Sequence, residues 1–109
     1  MALHELASLP VREVMPGFHG RFVHTPTLTM AYWDINPGAS LPEHQHPHEQ
    51  VVNVLEGQFE LTVAGEPILL EAGKVFTIPG DTPHSGRAIT PCRILDIFHP
   101  AREDYQEDT

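Results

Sequence analysis

The chain has 109 residues, with 15 aspartates and glutamates against 6 lysines and arginines, and a formal net charge of −9 at pH 7. That length supports one domain around one core. A chain this acidic, without a basic cluster to neutralise phosphates, argues against nucleic acid or an anionic membrane as partner.

Residues 1–15 mix apolar and charged side chains around Pro10, with a short strand expected at 11–14, and suit an N-terminal arm that pairs with a partner subunit. Pro16 and Gly17 mark a turn. Strands follow at 18–24 and, past Pro26, at 28–35, a run rich in β-branched and aromatic residues. Asn36, Pro37 and Gly38 form the next turn. Residues 49–55 and 58–63 read as strands joined through Glu56 and Gly57, the spacing of a two-residue hairpin. Further strands are expected at 66–70, 75–78, 85–89 and 93–99, separated by prolines and glycines. The acidic tail, 103–109, is expected to fray. No segment after residue 15 holds a helical period, so the chain reads as an all-β sandwich or barrel forming one domain over 1–109. Cys92 is the sole cysteine, which precludes an intramolecular disulfide and predicts a small packed side chain. No basic n-region with an apolar h-region and no membrane-length apolar run is present, and the expectation is a cytoplasmic protein.

Chemistry concentrates between Gly38 and Gly57, where His44, His46, His48 and Gln50 crowd into seven positions. In an extended strand, residues two apart share a face, so His44 and His46 would present two imidazoles side by side at metal-ligand spacing. A second segment, beginning at Gly73, runs through a short apolar strand to Pro79 and then His84. Together the two segments resemble the paired motifs of the cupin superfamily. Gly38, His44, His46 and Gly57 match the first, which usually carries a glutamate where this chain has Gln50. Gly73, Pro79 and His84 match the second; Asp81 replaces its glycine, and its later asparagine is missing.

The resemblance implies a small jelly-roll β-barrel, open at one end, holding one divalent metal ion on His44, His46, Gln50 and His84. The donor types suit such a site: neutral imidazoles and one amide oxygen, with room left for water or substrate. Gln50 could instead be a hydrogen-bonded barrel residue, leaving a three-histidine site. With neutral ligands only, the ion keeps its full +2 charge and favours an anionic substrate. The set does not choose among zinc, nickel, iron, manganese and cobalt. His48 follows Pro47 and is held in reserve as a supporting or exposed side chain. His4, His19, His24 and His99 lack motif support and read as surface or hydrogen-bonded histidines.

In the last strand, Asp96 and Phe98 share one face, and Arg102 lies past Pro100. Alternation alone allows two orientations: Asp96 inward with a function, or Asp96 outward with Leu95 and Ile97 as core. The histidine segment and this ending together resemble the KdgF-type cupins of pectin and alginate degradation, whose ending carries an aspartate, a phenylalanine two on and an arginine four further. Asp96, Phe98 and Arg102 match, and so does Gln50. The implied reaction is conversion of 4,5-unsaturated monouronates, small anionic sugar derivatives, to linear 5-keto-4-deoxyuronates. Asp96 would move protons, Arg102 would hold the carboxylate and Phe98 would shape the wall. Arg102 could instead pair with Glu103 or Asp104, and Arg21 and Arg87 are weaker candidates for substrate contact. Two other readings compete: an iron-dependent cupin dioxygenase, and a non-catalytic sugar or metabolite sensor. A homodimer is expected, since cupins of this size often pair and exposed edge strands gain from pairing.

Overall fold

The computed structural model describes residues 1–106. After a 3-10 turn at Leu6–Ser8, ten strands follow: β1 (Arg12–Met15), β2 (Phe18–His24), β3 (Thr29–Ile35), β4 (Ser40–His44), β5 (Glu49–Glu56), β6 (Gln58–Val63), β7 (Glu66–Glu71), β8 (Val75–Ile78), β9 (His84–Ala88) and β10 (Cys92–His99). A short helix, α1 (Glu103–Gln106), closes the described chain. The strands form two antiparallel sheets, ordered β1-β2-β3-β10-β5-β8 and β4-β9-β6-β7. This is the expected jelly roll in the form of a sandwich: the two sheets face each other without joining into one closed ladder.

Period-two alternation builds the core. Ala31, Trp33 and Ile35 of β3, Val52 and Val54 of β5, and Ile94 and Phe98 of β10 are buried from one sheet, against Phe59, Leu61 and Ala88 of the other. Register fixes the orientation that alternation left open. Asp96 sits opposite Ala31 on one side and Val52 on the other, and these are buried positions. Asp96 therefore points inward at 9% exposure, while Leu95 and Ile97 take the outer face.

Three expectations need correction or refinement. β5 and β6 do not form a hairpin; they belong to different sheets, and the chain crosses between them at Gly57. There φ is +90°, and a Cβ would overlap the Pro91 carbonyl oxygen. The corner brings two backbones so close that only glycine fits. The second concerns residues 1–15, whose expected strand, β1, pairs with β2 of its own chain; pairing of this segment with a partner subunit is a separate expectation. The third concerns the tail: residues 103–106 form α1 instead of fraying, and 107–109 lie outside the described residues.

Long-range bonds anchor that tail. The Arg102 N–H donates to Thr29 Oγ1 at 2.8 Å, and Arg12 Nη1 donates to the Tyr105 carbonyl at 2.8 Å. Tyr105 packs into a ring cluster with Phe22, Trp33 and Phe98 at centroid distances of 4.7, 6.2 and 5.9 Å. Among the described residues no helix is long and apolar enough to cross a membrane.

Gly57→Ala is expected to lower stability by more than about 1 kcal/mol, the backbone strain and the Pro91 overlap adding together. Gly65→Ala, at a similar φ but with nothing within 4 Å of the new methyl, should cost only the strain. Urea midpoints at unchanged m-value check the difference.

Candidate metal centre

A cavity of about 300 Å³ opens between the sheets, and His44, His46, Gln50, His84, Asp96, Phe98 and Arg102 all reach it. Every site residue expected from the sequence is therefore on its wall. Arg21 and Arg87 are not: they pair with Asp34 and Glu60 on outer faces.

His44 ends β4 and is the direct cross-strand partner of His84, which begins β9, with ring centroids 4.3 Å apart. His46 arrives differently from the strand geometry expected for it. It lies in the irregular segment between β4 and β5, and the turn after β8 supports it: the Asp81 N–H donates to the His46 carbonyl at 2.7 Å. Asp81 holds φ at +59°, the left-handed conformation that the glycine it replaces would adopt freely. The ring of His46 stands 5.8 Å from that of His44 and 5.0 Å from that of His84.

Tautomers are fixed by the backbone. His44 Nδ1 faces the Pro42 carbonyl at 2.8 Å, His46 Nδ1 the His48 carbonyl at 3.0 Å, and His84 Nδ1 the Thr82 carbonyl at 2.8 Å. A carbonyl only accepts, so each Nδ1 carries the proton and each Nε2 presents a lone pair. Burial, then the Arg102 guanidinium and His84, lowers His46 to about 4; burial also lowers His84. Neutral imidazoles are the form a cation requires.

Two contacts suit an ion bound here. His84 Nε2 is buried with no hydrogen-bond partner, and His46 Nε2 lies 3.1 Å from Gln50 Oε1. With its proton committed to Nδ1, the neutral His46 ring brings a lone pair against the lone pairs of an amide oxygen. A divalent cation would accept both lone pairs, and His44, His46 and His84 offer ligand atoms within 4.8 Å of one another. The donor set fits the group. His48 has its ring 5.4 Å from that of His46 but is absent from both the cluster and the cavity wall.

Opposite the histidines, Asp96 Oδ2 accepts from Trp33 Nε1 at 3.0 Å. Its Oδ1 is buried without a well-formed hydrogen bond, although the Gln50 amide is near enough to favour the carboxylate. Burial dominates and raises Asp96 to about 7, against the opposing pull of Gln50, Trp33 and Arg102. Arg102 takes the arrangement left open above: its Nε and Nη2 donate to Asp104 Oδ1 and Oδ2 at 3.0 and 2.7 Å. It also stacks over Phe98 and Tyr105, 4.8 and 4.4 Å from the ring centres. Trp33, Asp104 and Tyr105 line the cavity as well; Trp33 and Tyr105 were not singled out from the sequence, and Asp104 was named only as a surface partner for Arg102. The signal for Tyr105 was an aromatic residue among acids near the terminus, too weak alone to separate it from a surface side chain. Cys92 is buried as expected, its Sγ 3.2 Å from the Gln58 and Thr90 carbonyls.

Fold and site together define a small β-sandwich protein with three histidines clustered in its cavity as a candidate metal site. The cupin domain family model matches residues 31–98, and the chain belongs to the cupin family. It is similar to KdgF from Halomonas sp., at 30% identity and a TM-score of 0.91 over 96% of this chain and 98% of that one. An RmlC-like cupin from Shewanella frigidimarina gives 27% identity and the same TM-score over 96% of each chain. Among curated proteins, the HTH-type transcriptional regulator PuuR of Escherichia coli (strain K12) is 34% identical over 77 residues, 68% of this chain and 42% of PuuR. Quercetin 2,3-dioxygenase of Bacillus subtilis (strain 168) is 46% identical over 52 residues, 46% of this chain and 15% of the dioxygenase. The chain spans less than half the length of these curated relatives.

Wild-type protein dialysed against a divalent cation is expected to retain about one ion per chain by elemental analysis. His84→Ala should lose it. Gln50→Ala should weaken calorimetric affinity about tenfold or more, and an unchanged affinity would reduce the site to three histidines.

Proposed function

We propose that this cupin converts 4,5-unsaturated monouronates to linear 5-keto-4-deoxyuronates in the cytoplasm. One observation carries the reading: a buried carboxylate oxygen, Asp96 Oδ1, lies without a well-formed hydrogen bond on the wall of the cavity that holds the histidine cluster. A buried carboxyl with one oxygen so poorly partnered is costly to maintain, and a proton-transfer role explains its retention. Similarity to KdgF over nearly the whole of both chains supports the same reading.

The reaction is an isomerisation. The proton leaving the anomeric hydroxyl equals the one arriving at C4; the bond from C1 to the ring oxygen breaks, C1 becomes an aldehyde and C5 a ketone. Nothing is oxidised or reduced. Asp96 takes the hydroxyl proton and delivers a proton to carbon, so one carboxyl serves as base and then acid. Trp33 holds Asp96 Oδ2 and leaves Oδ1 for the transfer. Arg102 receives the substrate carboxylate, and Phe98 and Tyr105 bound the ring. A divalent ion bound by His44, His46, His84 and Gln50 supplies Lewis acidity for the substrate oxygens.

A second reading, iron-dependent oxygen activation, is favoured by the similarity to quercetin 2,3-dioxygenase over 52 residues. Asp96 and Arg102 have no evident task in that chemistry. Incubation of metal-loaded protein with lyase-generated unsaturated uronates separates the two. Loss of the double-bond ultraviolet absorbance without oxygen uptake is expected, falling about 10²-fold or more in Asp96→Asn and after EDTA treatment. A rate equal to the spontaneous one would remove the uronate reading.

We also propose a homodimer built on the outer face of the six-stranded sheet. Register aligns Val23, Met30, Ile97, Val51 and Thr77 in one row and Arg21, Tyr32, Leu95, Asn53 and Val75 in the next, with the Arg21 guanidinium paired to Asp34. Neither row holds an acid, in a chain of charge −9, so two copies can meet here without like-charge repulsion. Sedimentation of Leu95→Glu is expected to give monomer where the wild type gives dimer.

A further inference from the structure

We propose that Asp104 is a positioning residue: it clamps the side-on edge of Arg102, so that the guanidinium presents its Nη1 end to the cavity as a fixed carboxylate receptor. The receptor role rests on the uronate reading above; the clamp itself does not.

The geometry leaves Arg102 little freedom. A guanidinium has five N–H donors and two edges able to grip a carboxylate, one side-on through Nε and Nη2 and one end-on through Nη1 and Nη2. Asp104 takes the side-on edge with two short, paired bonds of 3.0 and 2.7 Å. The rings of Phe98 and Tyr105 pack against the guanidinium, and the Arg102 backbone is held by Thr29. Among the described residues no hydrogen bond is made by Nη1. The arginine side chain is 12% exposed, whereas that of Asp104 is 58% exposed. The acid therefore sits at the rim, outside the group it orients.

An internal carboxylate beside a receptor for carboxylates could act in two opposed ways. As a competitor it would occupy the edge the ligand needs, and its removal would tighten binding. As a clamp it would spare the ligand the ordering of a long flexible side chain, and its removal would loosen binding. The clamp is favoured because the end-on edge stays open while Asp104 is bound.

The test uses the full metal-loaded chain and its single tryptophan, Trp33, which lines the cavity. Trp33 fluorescence is titrated with galacturonate, a saturated uronate that cannot react, and with galactose, which lacks the carboxylate. Asp104→Ala is expected to weaken galacturonate about tenfold, the scale of one charge-assisted hydrogen bond, and to leave galactose unchanged; Asp104→Glu should recover part of the loss. Tighter galacturonate binding, or equal losses for both sugars, overturns the proposal. Solvent exchange of the Arg102 Nε–H, assigned in the nitrogen-15 spectrum by its disappearance in Arg102→Lys, reads the clamp without any ligand. Protection in the wild type should vanish in Asp104→Ala, and unchanged exchange removes the clamp. Failure of galacturonate to bind the wild type at all removes the uronate reading and the receptor role with it, which the exchange measurement tells apart from failure of the clamp.

Discussion

Three backbone carbonyls, those of Pro42, His48 and Thr82, decide what this cavity can hold. Each accepts the Nδ1 proton of one histidine, and so each turns an Nε2 lone pair towards the same small volume. Without those bonds the imidazoles would choose between two tautomers and two ring orientations, and a cation would have to order all three itself. The carbonyls belong to residues two away in sequence, so the preorganisation is local and depends on backbone shape. That is why Asp81 accepts a left-handed conformation: the turn it forms holds the segment carrying His46, the ligand candidate with no strand beneath it.

The opposite wall follows a different logic. Asp96 lies in the centre of the larger sheet between Ala31 and Val52, where an apolar residue would serve stability better. Its one good hydrogen bond comes from Trp33, which is itself packed in a ring cluster with Phe22 and Tyr105. The carboxyl is thus held by a neutral donor whose pull towards the charged form is outweighed by burial. The proton-transfer role proposed for Asp96 would gain from that balance, at the expense of folding free energy.

Much of this was legible in the residues, and the failures have physical causes. Nine of the ten strands came through because prolines and glycines punctuate them and because period-two alternation is strong in β3, β6 and β10; β4, with Pro42 inside it, was not among the strands expected. The meeting of His44 with His84, forty positions apart in sequence, rested on motif spacing, since no local pattern reports a cross-strand neighbour. The orientation of β10 stayed open because Ile94, Leu95 and Ile97 are apolar on both faces, and register against β3 and β5 decides it. Glu56 and Gly57 carry the spacing of a hairpin, but the same glycine freedom serves a corner between sheets, and only the approach of Pro91 distinguishes them. The pairing of Arg102 with Asp104 was one of several surface acids in reach, and the ordering of Glu103–Gln106 depends on Thr29 and Arg12, distant residues that composition near the terminus cannot reveal.

Strand order has a further consequence for how the molecule comes to exist. In the six-stranded sheet, β10 stands between β3 and β5, although it is the latest strand in the described chain. During synthesis, the ribbon β1-β2-β3 and the ribbon β5-β8 emerge with their facing edges bare and wait for a strand made after both. The insertion of β10 joins them and delivers Asp96 and Phe98 to the cavity in the same event. A nascent chain halted before residue 92 therefore has its histidines but two unsatisfied sheet edges, a species suited to aggregation or chaperone capture, and completion of the sheet coincides with completion of the reactive wall.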